Sequence, residues 1–161
     1  MSGGSAVEAR LAGLGLALPK VPAPAGSYVP AVRTGRYVHT SGQIPLVDGA
    51  LAASGKVGAE VTPEEGNALA RTCALNALAA VGSVVGLDAV TRVVKILCFV
   101  ASAPGFTGQP AVANGASDLL VAAFGDRGVH ARSAVGVAEL PLGAPVEVEI
   151  VVELAEDAAG A

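Results

Sequence analysis

The sequence predicts an α+β domain in which a mixed sheet is packed by two helices. Three observations carry this. Thr62-Pro63-Glu64-Glu65 is a strong helix start and opens a long alanine-rich stretch. Thr91 to Ala101 is the most apolar run, β-branched at Val93, Val94, Ile96 and Val100 and apolar on both faces except at Lys95. From Pro145 to Leu154 the chain alternates, with Val146, Val148, Ile150 and Val152 on one face and Glu147, Glu149, Val151 and Glu153 on the other. Helices separated by strands imply layered packing on a sheet.

Each element has its own signal, in chain order. Residues 1–4 (MSGG) read as disordered, Val7 to Leu14 as a short helix, and Pro19, Pro22 and Pro24 as an extended connection. Two short strands follow, Tyr28 to Val32 and Tyr37 to Ser41, with Pro30 placing the first at an edge. Asp48-Gly49 marks a turn. The helix capped by Thr62 should run to about Val85 and stop at Gly86, with Leu75, Leu78, Ala79, Gly82 and Val85 on one face. Thr91 to Ala101 fits a central strand covered on both sides. A second helix should span Pro110 to Phe124, stopped by Gly125. Ser133 to Leu140 and Pro145 to Leu154 read as strands joined at Leu140-Pro141-Leu142-Gly143, so a hairpin is expected at each end of the chain. A single sheet with two helices leaves its second face uncovered. The acidic alternation of the last strand must there meet water or another subunit.

The 161 residues fit one domain, and a chain of this size buries about 70% of its unfolded surface without a disulfide or metal staple. Hydrophobic residues make up 52% and charged residues 15%, which excludes a disordered tail protein. The same balance suggests that other subunits cover part of the surface. The net charge of −4 argues against a nucleic-acid partner, because phosphate affinity comes mainly from Lys and Arg. Cys73 and Cys98 lie in apolar stretches and read as reduced core thiols. No apolar run reaches the roughly 18 residues of a membrane span. A soluble, cytoplasmic protein is the expectation.

The common catalytic signatures are absent. There is no glycine-rich phosphate loop, no GxSxG and no HExxH. His39 and His130 stand alone and read as surface or structural histidines, and no cofactor is expected. What remains is Arg132, the last cation in the chain, followed by Glu139, Glu147, Glu149, Glu153, Glu156 and Asp157. An arginine opening a strand of small apolar residues can act as a planar fork for a carboxylate. It can equally form a structural ion pair, with Glu147 a possible partner. Glu147 can hold or activate a water, or be an exposed strand residue.

These residues carry a resemblance. HARSAVGVAELPLGAPVEVEI looks like the C-terminal signature of the RidA/YjgF family of imine deaminases, many of whose members are labelled endoribonuclease L-PSP. GSYVPAV, YVHTSGQIPL and PAVANGASDLL agree in order and spacing. The resemblance covers residues 25–154, leaving 1–24 as an N-terminal extension and linker and 155–161 as a tail. It implies a chorismate-mutase-like fold and a homotrimer whose sheets form a central barrel, with clefts between subunits. It assigns Arg132 to the substrate carboxylate, Glu147 to the attacking water, and Tyr28, Ser41, Gly42 and Asn114 to the cleft. The expected function is hydrolytic deamination of small 2-imino acids to 2-oxo acids and ammonia. The alternatives are a non-catalytic trimer that binds small carboxylates and, less favoured by composition, a ribonuclease. This chain departs from the family pattern at Ala134, where many members have Cys, and at Gly136, where some have Glu. Val129-His130-Ala131 replaces Phe-Pro-Ala. It is most like a longer branch of the family.

Overall fold

In the computed structural model, which describes residues 5–21, 23 and 26–156, the predicted capping box is closed. The Glu65 amide donates to the Thr62 hydroxyl at 3.1 Å, and the Thr62 amide donates to the Glu65 carboxylate at 2.7 Å. These bonds satisfy two of the amides that a helix start leaves unpaired. The helix they open, α2 (Pro63–Gly82), is preceded by α1 (Ala6–Gly13), β1 (Ala31–Thr34), β2 (Tyr37–Thr40), β3 (Leu46–Val47) and β4 (Ala50–Leu51). It is followed by β5 (Val90–Ala101), α3 (Gln109–Phe124), β6 (Ala131–Val137) and β7 (Val146–Leu154). The expectations for residues 1–4, Pro22, Pro24 and the end of the tail lie outside the described residues.

The main sheet has the order β1-β2-β7-β5-β6, and β3 and β4 form a separate hairpin. β5 and β6 run parallel and the other pairs antiparallel, so the sheet is mixed. The hairpin expected between the last two strands does not form, because β5 lies between them. The connection after β6 passes over the end of β5, where the Ala101 amide donates to the Pro145 carbonyl at 2.9 Å and the Ser102 amide to the Val137 carbonyl at 3.1 Å. β1 begins at Ala31 rather than Tyr28. Pro30 has no amide to give to a ladder, so pairing starts after it. The Asp48-Gly49 turn forms with both residues at positive φ, 51° and 83°, the geometry of a tight two-residue hairpin.

Both long helices lie on one face of the sheet. α2 buries Leu69, Ala70, Cys73, Ala74, Ala77, Leu78, Ala80 and Val81, an arc wider than the expected stripe and rotated from it. Leu78 and Ala79 are buried as expected, whereas Leu75 and Val85 are half-buried and Gly82 is exposed. The small side chains let α2 settle between the sheet and α3, so they define the buried arc. At Gly115 of α3 an added Cβ would overlap the Asn67 backbone carbonyl, so only glycine permits this helix contact. Asn76 is the buried polar side chain of α2, and its Nδ2 donates to the Ile44 and Leu46 carbonyls, both at 3.1 Å. Full burial of Leu78 and Leu120 contributes about 2 kcal/mol each.

α1 belongs to the same core. Val7 and Leu11, four residues apart, are fully buried within it. Asp88 accepts from the Ser5 hydroxyl at 2.9 Å and from the Ala6 and Val7 amides at 3.0 and 3.2 Å, holding a negative charge at the start of α1. Cys73 and Cys98 are free, buried thiols. Burial pushes Cys98 up to about 12 and Cys73 well above the ordinary thiol range, so neither is reactive. No described helix is long and apolar enough to cross a membrane.

Among the described residues no layer covers the second sheet face. Residues paired across strands share a face, which puts Tyr37, His39, Lys95, Leu97, Phe99, Ser133, Val135, Glu147, Glu149, Val151 and Glu153 on the open side. β5 is an interior strand beside the middle strand β7, but among the described residues it is covered on one side only, and Leu97 and Phe99 are half-buried.

Candidate functional site

Strand register decides where the two charged candidates point. Arg132 pairs with Ile96 and Glu147 with Phe99, and these two β5 residues face opposite sides of the sheet. Arg132 therefore lies on the helix-covered face at the outer strand, and Glu147 on the open face. Two strand spacings separate their strands by about 10 Å, and three residues offset them along the sheet by about as much again. One chain does not bring them together. The possible Arg132–Glu147 ion pair is absent: the ion pairs among the described residues are Arg36–Glu153, Arg36–Glu156 and Lys56–Glu139.

Arg132 is held by neutral groups. Its Nη1 donates to Asn114 Oδ1 at 2.7 Å and to Ser117 Oγ at 3.1 Å. Asn114 and Ser117 are three apart on α3 and so share the helix face above β6. Two acceptors match the two protons of Nη1. The side-on edge formed by Nε and Nη2 donates to no protein group among the described residues, and this edge fits a planar carboxylate bidentately. Ser117 in turn contacts His130 Nε2 at 2.9 Å, and His130 Nδ1 lies 2.6 Å from the Gly128 carbonyl oxygen. Of this cluster, Arg132 and Asn114 were expected. Ser117 and His130 were not; α3 lying over β6 brings them to Arg132.

The other candidates form a second group. After β2 the chain returns to β7, where Gln43 and Val148 exchange backbone bonds of 2.8 and 2.9 Å. This puts Gly42 against Glu147, so close that an added Cβ would overlap the carboxylate. The Ser41 amide donates to the Pro30 carbonyl at 2.8 Å and the Ser41 hydroxyl to the Val29 carbonyl at 2.6 Å. Those bonds hold the segment carrying Tyr28, whose side chain is exposed, beside Ser41. Partial burial, and then repulsion from Glu149 on the same face, raise the Glu147 carboxyl above the usual range. A carboxylate so placed can take a proton from water more readily than an ordinary one.

Ala134 follows Arg132 on the same face, beside Cys98, and packs against the core. Gly136 lies under Gln109 and Ser102, which occupy the space a Cβ would need. The lining above Arg132 is thus small and apolar at Ala134, with an amide and a hydroxyl over Gly136. Among the described residues no three His, Cys, Asp or Glu side chains gather as they would around a metal ion.

Comparison with known proteins gives a consistent result. The family model for endoribonuclease L-PSP matches residues 19–154. Protein TCP17 of Trypanosoma cruzi is 51% identical over 150 residues, covering 92% of this chain and 94% of that protein. The crystal structure of a protein of unknown function from Agrobacterium tumefaciens superimposes with a TM-score of 0.88 at 41% identity, covering 93% of each chain. The YjgF gene product of E. coli superimposes with a TM-score of 0.63 at 28% identity, covering 83% of this chain and 93% of that one. The Agrobacterium protein thus matches more of this chain than the shorter YjgF protein does.

Proposed function

Because the chain belongs to the endoribonuclease L-PSP family, which includes the YjgF/RidA proteins, we propose that it hydrolyses small 2-imino acids to 2-oxo acids and ammonia. The observation that carries this reading is Arg132. Its guanidinium is anchored by two neutral acceptors through Nη1, and among the described residues its Nε/Nη2 edge has no protein partner.

In this reading the substrate carboxylate takes the Nε/Nη2 edge and so fixes the C=N carbon. Glu147, backed by Gly42 and Ser41, holds a water and accepts its proton as the oxygen adds to that carbon. Glu147 then gives that proton to nitrogen, forming a carbinolamine; it takes the hydroxyl proton in turn and passes it to the same nitrogen, so ammonia leaves as the C=O bond forms. Hydrolysis of such imines is already facile, so positioning and polarisation suffice.

The two halves of this site belong to different copies of the chain. In one copy Arg132 and Glu147 face away from each other, and among the described residues nothing covers the open face that carries Glu147. A homotrimer whose sheets form a central barrel, each open face meeting the outer β6 edge of the next copy, would bring Glu147, Gly42, Ser41 and Tyr28 of one copy to Arg132 and Asn114 of the next. The free, buried Cys73 and Cys98 suit a reducing compartment, in keeping with a cytoplasmic location.

A second reading rests on Ala134 and Gly136, which put no reactive group beside Arg132. It is a trimer that binds small carboxylates without turning them over. The ribonuclease label finds less support, since a chain of net charge −4 and 3% aromatics offers no track for single-stranded RNA.

The test generates 2-imino acids with an amino-acid oxidase and traps them with semicarbazide. Wild-type protein should lower the trapped product, and Arg132→Ala should not, at unchanged fold and subunit number. Equal effects from the two proteins would overturn the proposal. Binding of a 2-oxo acid with no drop in trapped imine would favour the second reading.

A further inference from the structure

We propose that Ser117 and His130 are positioning residues that set the plane of the Arg132 guanidinium; this rests on the reading of Arg132 as the substrate's carboxylate fork. The direction of each bond follows from what its atoms can do. The Gly128 carbonyl oxygen only accepts, so His130 Nδ1, 2.6 Å away, carries a proton. In the neutral ring Nε2 is then an acceptor, and the Ser117 hydroxyl, 2.9 Å away, donates to it. That commits the hydroxyl proton and turns the Ser117 lone pairs towards Arg132, whose Nη1 donates to them at 3.1 Å.

The chain therefore runs one way, from Arg132 through Ser117 and His130 to the backbone of Gly128. Asn114 alone would fix one proton of Nη1 and leave the planar group free to swing about that bond. The second bond, to Ser117, removes that freedom and directs the Nε/Nη2 edge. His130 matters because it dictates which way the hydroxyl turns. A proline at this position, as in the family pattern, could do none of this. The device belongs to the residues of this chain.

The experiment is a double-mutant cycle on the intact protein, in the same imine assay, with 2-oxobutanoate binding measured alongside. Ser117→Ala should lower kcat about tenfold while the affinity for 2-oxobutanoate stays within about threefold, because the charge remains and only its orientation is lost. Ser117→Thr, which keeps the hydroxyl, should restore most of the rate. His130→Phe should match Ser117→Ala, and the double variant should be no worse than either single one, as expected for members of one chain of bonds. The imidazole 15N spectrum of the wild type should show the Nδ1–H tautomer. The proposal is overturned by the Nε2–H tautomer, by additive losses in the double variant, or by wild-type kcat in both single variants when Arg132→Ala is inactive. An active Arg132→Ala would instead remove the reading on which the proposal rests, and the proposal with it.

Discussion

Arg132 and Glu147 point away from each other across one sheet, the first towards α3 and the second onto an open face. Both carry features of a binding site. The guanidinium keeps an edge without a protein partner among the described residues, and the carboxyl is held above its usual range by burial and by Glu149. Neither can serve the other within a single chain. Catalysis by these residues therefore requires both their chemistry and an assembly of copies, and each can be tested separately.

The fork geometry of Arg132 should matter beyond its charge. Lysine keeps the cation but offers no rigid pair of donors. Arg132→Lys should lower kcat/KM for 2-imino acids by about tenfold or more, with little change in thermal midpoint. Rates equal to wild type in the trapping assay would mean that a point charge suffices.

Gly42 should be intolerant of a methyl group for a functional reason. An added Cβ meets the end of the Glu147 side chain, which can swing aside without disturbing the backbone. Gly42→Ala should therefore change stability by less than about 1 kcal/mol and still lower kcat markedly. A large loss of stability in urea denaturation would show that the contact is structural.

Glu147 should oppose folding at neutral pH. Burial first, and repulsion from Glu149 second, place its folded-state pKa above the unfolded value. The native state then holds the proton more tightly than the unfolded chain. The resulting stability is full below the unfolded pKa and is lost as pH rises through the folded pKa. Glu147→Gln should raise Tm near pH 7, and the gain should shrink as pH falls towards about 4. Thermal melts across that range check this; a gain independent of pH would contradict it.

The first helix should be part of the fold. Leu11 is 1% exposed in the common core, so Leu11→Ala should cost about 3 kcal/mol. Urea denaturation gives the value. A cost under about 0.5 kcal/mol would mean that α1 is only loosely attached.

What the sequence revealed was mostly local. Thr62 and Glu65 specify a helix start within four residues, and Asp48-Gly49 specifies a turn within two. Strand neighbours are a global property. Leu140-Pro141-Leu142-Gly143 reads as a hairpin turn, but its backbone carries the chain over the end of β5 because β6 has already paired in parallel with it. The buried arc of α2 was misplaced for a related reason. Its position is set by which alanines let the helix close on the sheet, and apolar spacing at Leu75 and Leu78 does not report that. Arg132 and Asn114 stood out because a motif surrounds each. Ser117 and His130 acquire meaning only when α3 lies over β6, since no spacing in the chain joins residues from a helix and the following strand.

The central claim is that one copy supplies Arg132 and its neighbour supplies Glu147, and subunit mixing tests it most directly. Arg132→Ala and Glu147→Gln proteins, each inactive alone, are unfolded, combined in equal amounts and refolded together. Random assembly should give about a quarter of the clefts an intact guanidinium and an intact carboxylate, and so about a quarter of wild-type imine hydrolysis. A mixture that assembles normally yet stays as inactive as its two components would contradict the account.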